Sequence, residues 1–241
     1  MNGIIDVHCH ILPGVDDGSS NMDMTREMLR LAWSEGITAM IATPHYRRGY
    51  ADTPVNKLIE AYYQVVQEAQ RIHPDFRIYL GNELFSSHEL PERLEKGQVL
   101  TMSNTRYVLV EFLPSVEYAQ LTASLRKLQM NGYRPIVAHA ERYGCLLKDP
   151  YLVEELTDMG FYIQVNAMSV TGENGFSVKK FVKKLMKYEL VHLLGTDAHS
   201  MGRRRPEMKK CVAYIEKKYG EKYARQIAWD NAVRLLQNQP I

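Results

Sequence analysis

The sequence predicts an α/β protein whose parallel strands close into a seven-stranded (β/α) barrel resembling a TIM barrel, and two patterns carry that expectation. Short apolar runs suited to buried strands alternate with amphipathic helical stripes along all 241 residues. Histidines and carboxylates stand at the C-terminal ends of those runs, where every strand of a parallel barrel opens on the same mouth. An open doubly wound sheet would usually show a glycine-rich first turn, and GxGxxG is absent.

Strands are expected over residues 3–7, 38–42, 77–80, 107–112, 135–138, 161–165 and 191–194. The first helical stripe is Met24, Met28, Leu31 and Ala32, and Gly36 is placed to stop that helix. The second is Leu58, Ile59, Tyr62, Val66 and Ala69, with Pro54 opening it. Asn131-Gly132 and Gly160 mark two further helix ends. Val178, Phe181, Val182, Leu185 and Met186 form a late stripe, opposite a solvated face of Lys179, Lys180, Lys183, Lys184 and Lys187. Pro206 is expected to open a helix after that. No linker or repeat divides the chain, so residues 1–241 read as one domain.

Composition narrows the function classes. A net charge of +2 gives no general case for nucleic-acid binding. Cys9, Cys145 and Cys211 are sparse, odd in number and free of CxxC spacing, which suits a reducing compartment. A cysteine-nucleophile phosphatase needs an arginine six positions after its cysteine, and those positions hold Val15, Tyr151 and Lys217. The N-terminus lacks the apolar core of a signal peptide and no run approaches the length of a membrane span, so a cytoplasmic location is expected.

Five of the eight histidines lie at strand ends: His8 and His10 in Asp6-Val7-His8-Cys9-His10, His45 in Thr43-Pro44-His45, His139 after Ile136-Val137-Ala138, and His199 in Asp197-Ala198-His199. Side chains at i and i+2 of a strand share a face, so His8 pairs with His10 and Asp197 with His199. Glu83 and Glu111 close two other apolar runs, which is costly for a carboxylate without a cation, whether a metal or a neighbouring arginine. Asp16-Asp17-Gly18 follows the first strand and is by itself a turn sequence. Neutral imidazole and carboxylate are ligands of divalent metals, so convergence of these ends makes a metal-dependent hydrolase. His73, His88 and His192 fall outside the pattern and read as structural, and Cys9 as a small core residue facing away from the metals.

The series HCH with a downstream VDDG, then ATPH, GNE, VEF, VAHAERY and TDAH, resembles in order the motifs of the polymerase and histidinol phosphatase (PHP) superfamily. The opening HILPGVDDG and the ERY after His139 resemble its bacterial tyrosine-protein phosphatases of the CpsB/YwqE type, linked to capsule and exopolysaccharide synthesis. The resemblance implies a distorted barrel with three metals, most often manganese, with iron or zinc as alternatives. It places His8, His10, Glu83 and Asp197 on one metal, Glu83, Glu111 and His139 on a second, and Asp17, His45 and His199 on a third. Asp16 stays open as an alternative to Asp17.

Three divalent ions against these four carboxylates and a bridging hydroxide leave a small positive excess, which attracts a phosphate dianion for in-line attack. Arginines should grip the phosphate. Arg142 is the candidate near His139; of Arg203, Arg204 and Arg205 in the last loop, the resemblance favours Arg205, with Arg204 next. Arg47 and Arg48 are candidates for reading acidic residues around a target. The implied substrate is a phosphotyrosine protein, the tail of a membrane-associated tyrosine kinase of polysaccharide export. Histidinol-phosphate hydrolysis is the runner-up; a non-catalytic PHP module of a DNA polymerase ranks below it.

Overall fold

The structure is a computed structural model describing residues 3–241. Nine strands, all paired in parallel, occur among the described residues: β1 Ile4–Cys9, β2 Ile37–Ala42, β3 His45–Tyr46, β4 Arg77–Leu80, β5 Glu83–Phe85, β6 Tyr107–Glu111, β7 Arg134–Val137, β8 Tyr162–Asn166 and β9 Leu193–Gly195. They occupy the seven expected strand positions, with ends displaced by one or two residues. Two expected strands are broken and continue as short second pieces. Pro44 interrupts the β2 line before β3, since proline lacks the N–H a ladder needs. Gly81-Asn82 interrupts the β4 line before β5, and the Asn82 side chain donates to the Pro44 carbonyl at 2.8 Å, tying the two breaks together.

The strands form sheets of order β1-β2-β4 and β3-β5-β6-β7-β8-β9. The ring closes where Asp197 N donates to His8 O and His10 N to Ala198 O, both at 2.8 Å. It is interrupted between β4 and β6, where the 3-10 turn Met102–Asn104 sits instead of a strand contact. The barrel is therefore distorted, as expected.

The outer layer comprises α1 Met22–Ser34, α2 Val55–Ile72, α3 Leu90–Glu95, α4 Tyr118–Met130, α5 Gly144–Lys148, α6 Tyr151–Asp158, α7 Ala167–Thr171, α8 Phe176–Lys187, α9 Lys209–Tyr219, α10 Glu221–Arg225 and α11 Asn231–Leu236. Asn21 caps α1 by accepting from Met24 N at 3.0 Å. Gly36, Gly132 and Gly160 follow their helices at φ +85°, as their placement predicted. Two expectations are corrected. Ile59 is exposed because α2 turns Leu58, Ala61, Val65 and Ala69 inward. Pro206 does not open a helix: α9 begins at Lys209.

Two apolar clusters result. One lies between strands and helices; the other fills the lower barrel interior with Ile5, Val7, Ala39, Ile41, Tyr107, Leu109, Ile136, Ala138 and Leu193. Further along the same interior faces the side chains become polar. In β1 the pairing skips between Asp6 and Cys9, a bulge that lets Val7 join the floor while His8 and His10 face the interior above it. The Asp6 carboxylate accepts the His8 N–H at 3.1 Å and the Thr196 N–H at 2.9 Å, satisfying backbone donors at the bulge and the strand junction.

Candidate metal centre

At the C-terminal mouth the nine expected ligand residues meet. Potential ligand atoms of His8, His10, Glu83 and Asp197 lie within 4.8 Å of one another, as do those of His10, Asp17, His45 and His199, and those of His45, Glu83 and Glu111. His139 joins them with Nε2 at 2.7 Å from Glu83 Oε1 and 3.6 Å from Glu111 Oε1. In the second expected set, His45 thus approaches the two glutamates together with His139, its Nδ1 being 3.0 Å from Glu83 Oε2.

Donor spacing fits bound cations. Ligand atoms about 2.1 Å from one ion at tetrahedral or octahedral angles stand roughly 3.0–3.4 Å apart. His8 Nε2 and His10 Nε2 are 3.2 Å apart, and Glu83 Oε2 lies 3.1 Å from His8 Nε2 and 3.3 Å from His10 Nε2. Glu83 Oε2, Asp197 Oδ1 and His199 Nε2 are buried without a hydrogen-bond partner, a state that buried polar atoms rarely tolerate. The residues present therefore fit divalent ions.

The electrostatics agree. Burial pushes Glu83 toward its neutral form, but His8, His139 and His10 hold its carboxyl well below the usual range. Burial also opposes ionisation of Asp197, which His10, His8 and Arg142 outweigh. His139 is discouraged from charging by burial and Arg142, yet Glu83 and Glu111 raise it to about 9. The nearby His199 imidazole lowers the Asp17 carboxyl. With protein groups alone, protons on imidazole supply the positive charge that these carboxylates require.

The choice between the adjacent aspartates is a matter of direction. Asp16 Oδ2 faces back to accept from His10 Nδ1 at 2.8 Å and His45 N at 2.9 Å, while Asp17 Oδ1 lies 3.4 Å from His45 Nε2 and 3.5 Å from His199 Nε2. Gly18 allows this turn, because a Cβ there would lie 2.3 Å from His10 O. Strand alternation does not orient His139 and Asp197, contrary to expectation for Asp197. Both sit past their strands at φ +30° and +53°, left-handed conformations that non-glycine residues adopt at a cost.

Sequence reasoning passed over the supporting residues. Gln164 Oε1 accepts the His139 N–H at 2.7 Å, which identifies that atom as the oxygen, so His8 Nδ1 at 3.1 Å must donate to it. In the neutral ring that a metal needs, His8 Nε2 is then the nitrogen facing the cluster as an acceptor. Asn166 Nδ2 donates to Asp197 Oδ2 at 3.0 Å, and Glu141 Oε1 accepts from Asn166 N at 2.9 Å and Ser169 Oγ at 2.6 Å. The available signal was Gln164 and Asn166 alternating along an otherwise apolar strand.

Arg142 donates to Asp197 Oδ2, and Arg204 Nη1 lies 3.6 Å from the same oxygen. Arg205, which the sequence placed ahead of Arg204, approaches Glu207 at 3.5 Å. Arg203 is exposed. Arg48 is paired with Glu89 at 2.8 Å, and the Arg47 guanidinium lies 4.3 Å above the Phe85 ring. Cys9 is buried and donates to Ile41 O, away from the ligands. His73 stacks on Trp33, His192 accepts from Ile163 N, and His88 is exposed, so none joins the cluster.

Among the described residues no helix is long and apolar enough to cross a membrane. The family model for capsular polysaccharide synthesis, CpsB/CapC, matches residues 4–237. The chain is 35% identical to the tyrosine-protein phosphatase CpsB of Streptococcus pneumoniae over 99% of this chain and 100% of that one. It is 32% identical to the tyrosine-protein phosphatase YwqE of Bacillus subtilis, covering 99% and 93% of the two chains. A crystal structure from work on YwqE and CpsB, described as metal-dependent tyrosine phosphatases, matches with a TM-score of 0.90 at 32% identity, over 99% of this chain and 96% of that one. A barrel of this build, with this mouth and these relatives over its whole length, belongs to the CpsB/CapC family of capsular polysaccharide synthesis.

Proposed function

We propose that this chain is a metal-dependent protein-tyrosine phosphatase, a phosphoric monoester hydrolase that uses no cysteine nucleophile. The observation that carries the reading is the convergence of five histidines and four carboxylates on one barrel mouth, with Arg142 and Arg204 at its edge. Three divalent ions, manganese foremost, are assigned to it. His8, His10, Glu83 and Asp197 would hold the first, Glu83, Glu111 and His139 the second, and Asp17, His45 and His199 the third. When bound, such ions polarise phosphoryl oxygens and make water acidic enough to serve as a nucleophile near neutral pH.

The protein's own groups supply position and charge. Asp16 and Gln164 fix the rings of His10 and His8 from behind. Arg142 and Arg204 present guanidinium groups to the phosphoryl oxygens, where a planar fork matches two oxygens together. The water oxygen bonds to phosphorus as the water gives up a proton, the bond from phosphorus to the phenol oxygen breaks, and the phenolate leaves with the electron pair and takes up a proton in place of the one the water lost, giving phenol and inorganic phosphate. Tyrosine, with a pKa of about 10, is a good enough leaving group to manage without a dedicated acid, whereas alkyl alcohols are far more basic. That difference favours phosphotyrosine over histidinol phosphate. The proposed partner is the phosphorylated tail of a membrane-associated tyrosine kinase, met in the cytoplasm.

The test strips metal with a chelator, restores manganese, and compares catalytic efficiency on a phosphotyrosine peptide and on histidinol phosphate. Preference for the peptide is expected; preference for histidinol phosphate would transfer the chain to the runner-up activity.

A further inference from the structure

The interior faces of β3, β5 and β6 continue past the ligand layer. His45 pairs with Glu83, and Glu83 pairs with Leu109, the residue two before Glu111. Phe85, two residues past Glu83 on the same face of β5, pairs with Glu111 and so stands beside that carboxylate. Arg47 and Leu113 follow just beyond the ends of β3 and β6. Their contacts agree: the Arg47 guanidinium lies 4.3 Å from the Phe85 ring centre, and Phe85 and Leu113 line one groove. This groove is about 140 Å³ in volume. Phe112 and Val116 add apolar surface to it, and Ser86, Ser115 and Gln120 line the rest. Leu113 is 50% exposed, so its side chain is accessible to a ligand.

The mouth therefore has two unlike sides. Arg142 and Arg204 gather at Asp197 on the side of β7 and β9, whereas the side of β3, β5 and β6 presents Phe85 beside Glu111 and, past it, Leu113. In an aryl phosphate only one oxygen separates phosphorus from the ring, so a ring whose phosphate meets the ligand layer must lie in the next layer out. We infer that Phe85 and Leu113 form the platform for the substrate's phenyl ring, with Arg47 holding the Phe85 ring in place, and that they determine preference for aryl over alkyl phosphates. The inference rests on the tyrosine-phosphatase reading and names the residues that select the ring.

Calorimetric titration of the manganese-loaded protein with phenylphosphonate and methylphosphonate tests it, because neither probe is hydrolysed. The wild-type protein should bind the phenyl compound about tenfold more tightly, in line with one buried aromatic contact. Phe85→Ala should abolish most of that preference and leave methylphosphonate within about twofold, and Phe85→Leu should restore part of it. Leu113→Ala, at an exposed position that cannot compromise folding, should reduce the preference several-fold. The inference is overturned if the wild type shows no phenyl preference, if Phe85→Ala weakens both probes equally, or if Leu113→Ala leaves the preference whole. Wild-type turnover of phosphotyrosine and phosphoserine peptides, run in parallel, separates failure of the platform from failure of the activity: equal turnover with an intact phenyl preference would break the latter alone.

Discussion

The lower and upper halves of the barrel interior are built on the same strands and the same alternation, yet they are held together by opposite physics. Below, Ile5, Ile41, Leu109, Ile136 and Leu193 leave water for one another, and their packing needs no external group. Above, the buried carboxylates of Glu83 and Asp197 sit among imidazoles with oxygen atoms left unpaired. The floor is complete as a folded chain, and the mouth is complete only with cations. A protein can thus concentrate chemistry at one end of a barrel because the other end carries the stability.

The largest expected effect falls on the mouth. Asp197→Ala or His139→Ala should lower catalytic efficiency by roughly three orders of magnitude or more, the scale of the several kcal/mol that a metal site supplies, with metal analysis showing reduced content. A variant with full activity would break the division between the halves. Ile136→Ala in the floor should do the reverse. It should cost about 2–5 kcal/mol of stability in chemical denaturation, while the activity per folded molecule stays near wild type.

Arg142→Ala should reduce catalytic efficiency by one to two orders of magnitude with metal content preserved, the scale of one charge-assisted bond to phosphate. Arg204→Ala should follow in the same direction and Arg205→Ala should change little. A dominant effect at Arg205 would instead support the order read from sequence.

The pH dependence of stability sharpens the comparison further. In metal-free protein His139 holds a proton up to about 9, above its unfolded value, so its contribution is present at neutral pH and lost as pH rises through 9. Thermal melts of chelated protein should therefore fall between pH 7 and 10 more than those of manganese-loaded protein. Parallel curves would count against cations as the missing partner. The smallest effect is expected of Cys9→Ser, Cys145→Ser and Cys211→Ser, each of which should retain catalysis. Loss of turnover in a folded, metal-loaded Cys211→Ser protein would overturn the mechanism.

Much of this division was legible in the sequence, for a physical reason. Strand ends and ligands advertise themselves locally: His8 and His10 by their i, i+2 spacing, Glu83 and Glu111 by ending apolar runs. The broken strands at Pro44 and Gly81 were less visible, since a two-residue strand such as β3 has no periodicity to read. The directions of Asp16, Arg204 and Arg205 depend on loop dihedrals that single residues do not encode. Gln164 and Asn166 escaped notice because an amide at a strand end carries no charge and no metal preference. Its value lies only in which imidazole hydrogen it accepts, a contact between residues 156 apart in the chain.

Arg142 and Arg204 converge on one carboxylate, Asp197, which is also an expected metal ligand. Asp197 is consequently a shared account between two kinds of visitor. A cation that takes its charge relaxes its hold on both guanidiniums and frees them to turn outward to an anion. Thermodynamic reciprocity then requires that the anion, once gripped, tighten the cation by the same factor. Metal and phosphate should bind this mouth cooperatively, each raising the other's affinity through a single side chain.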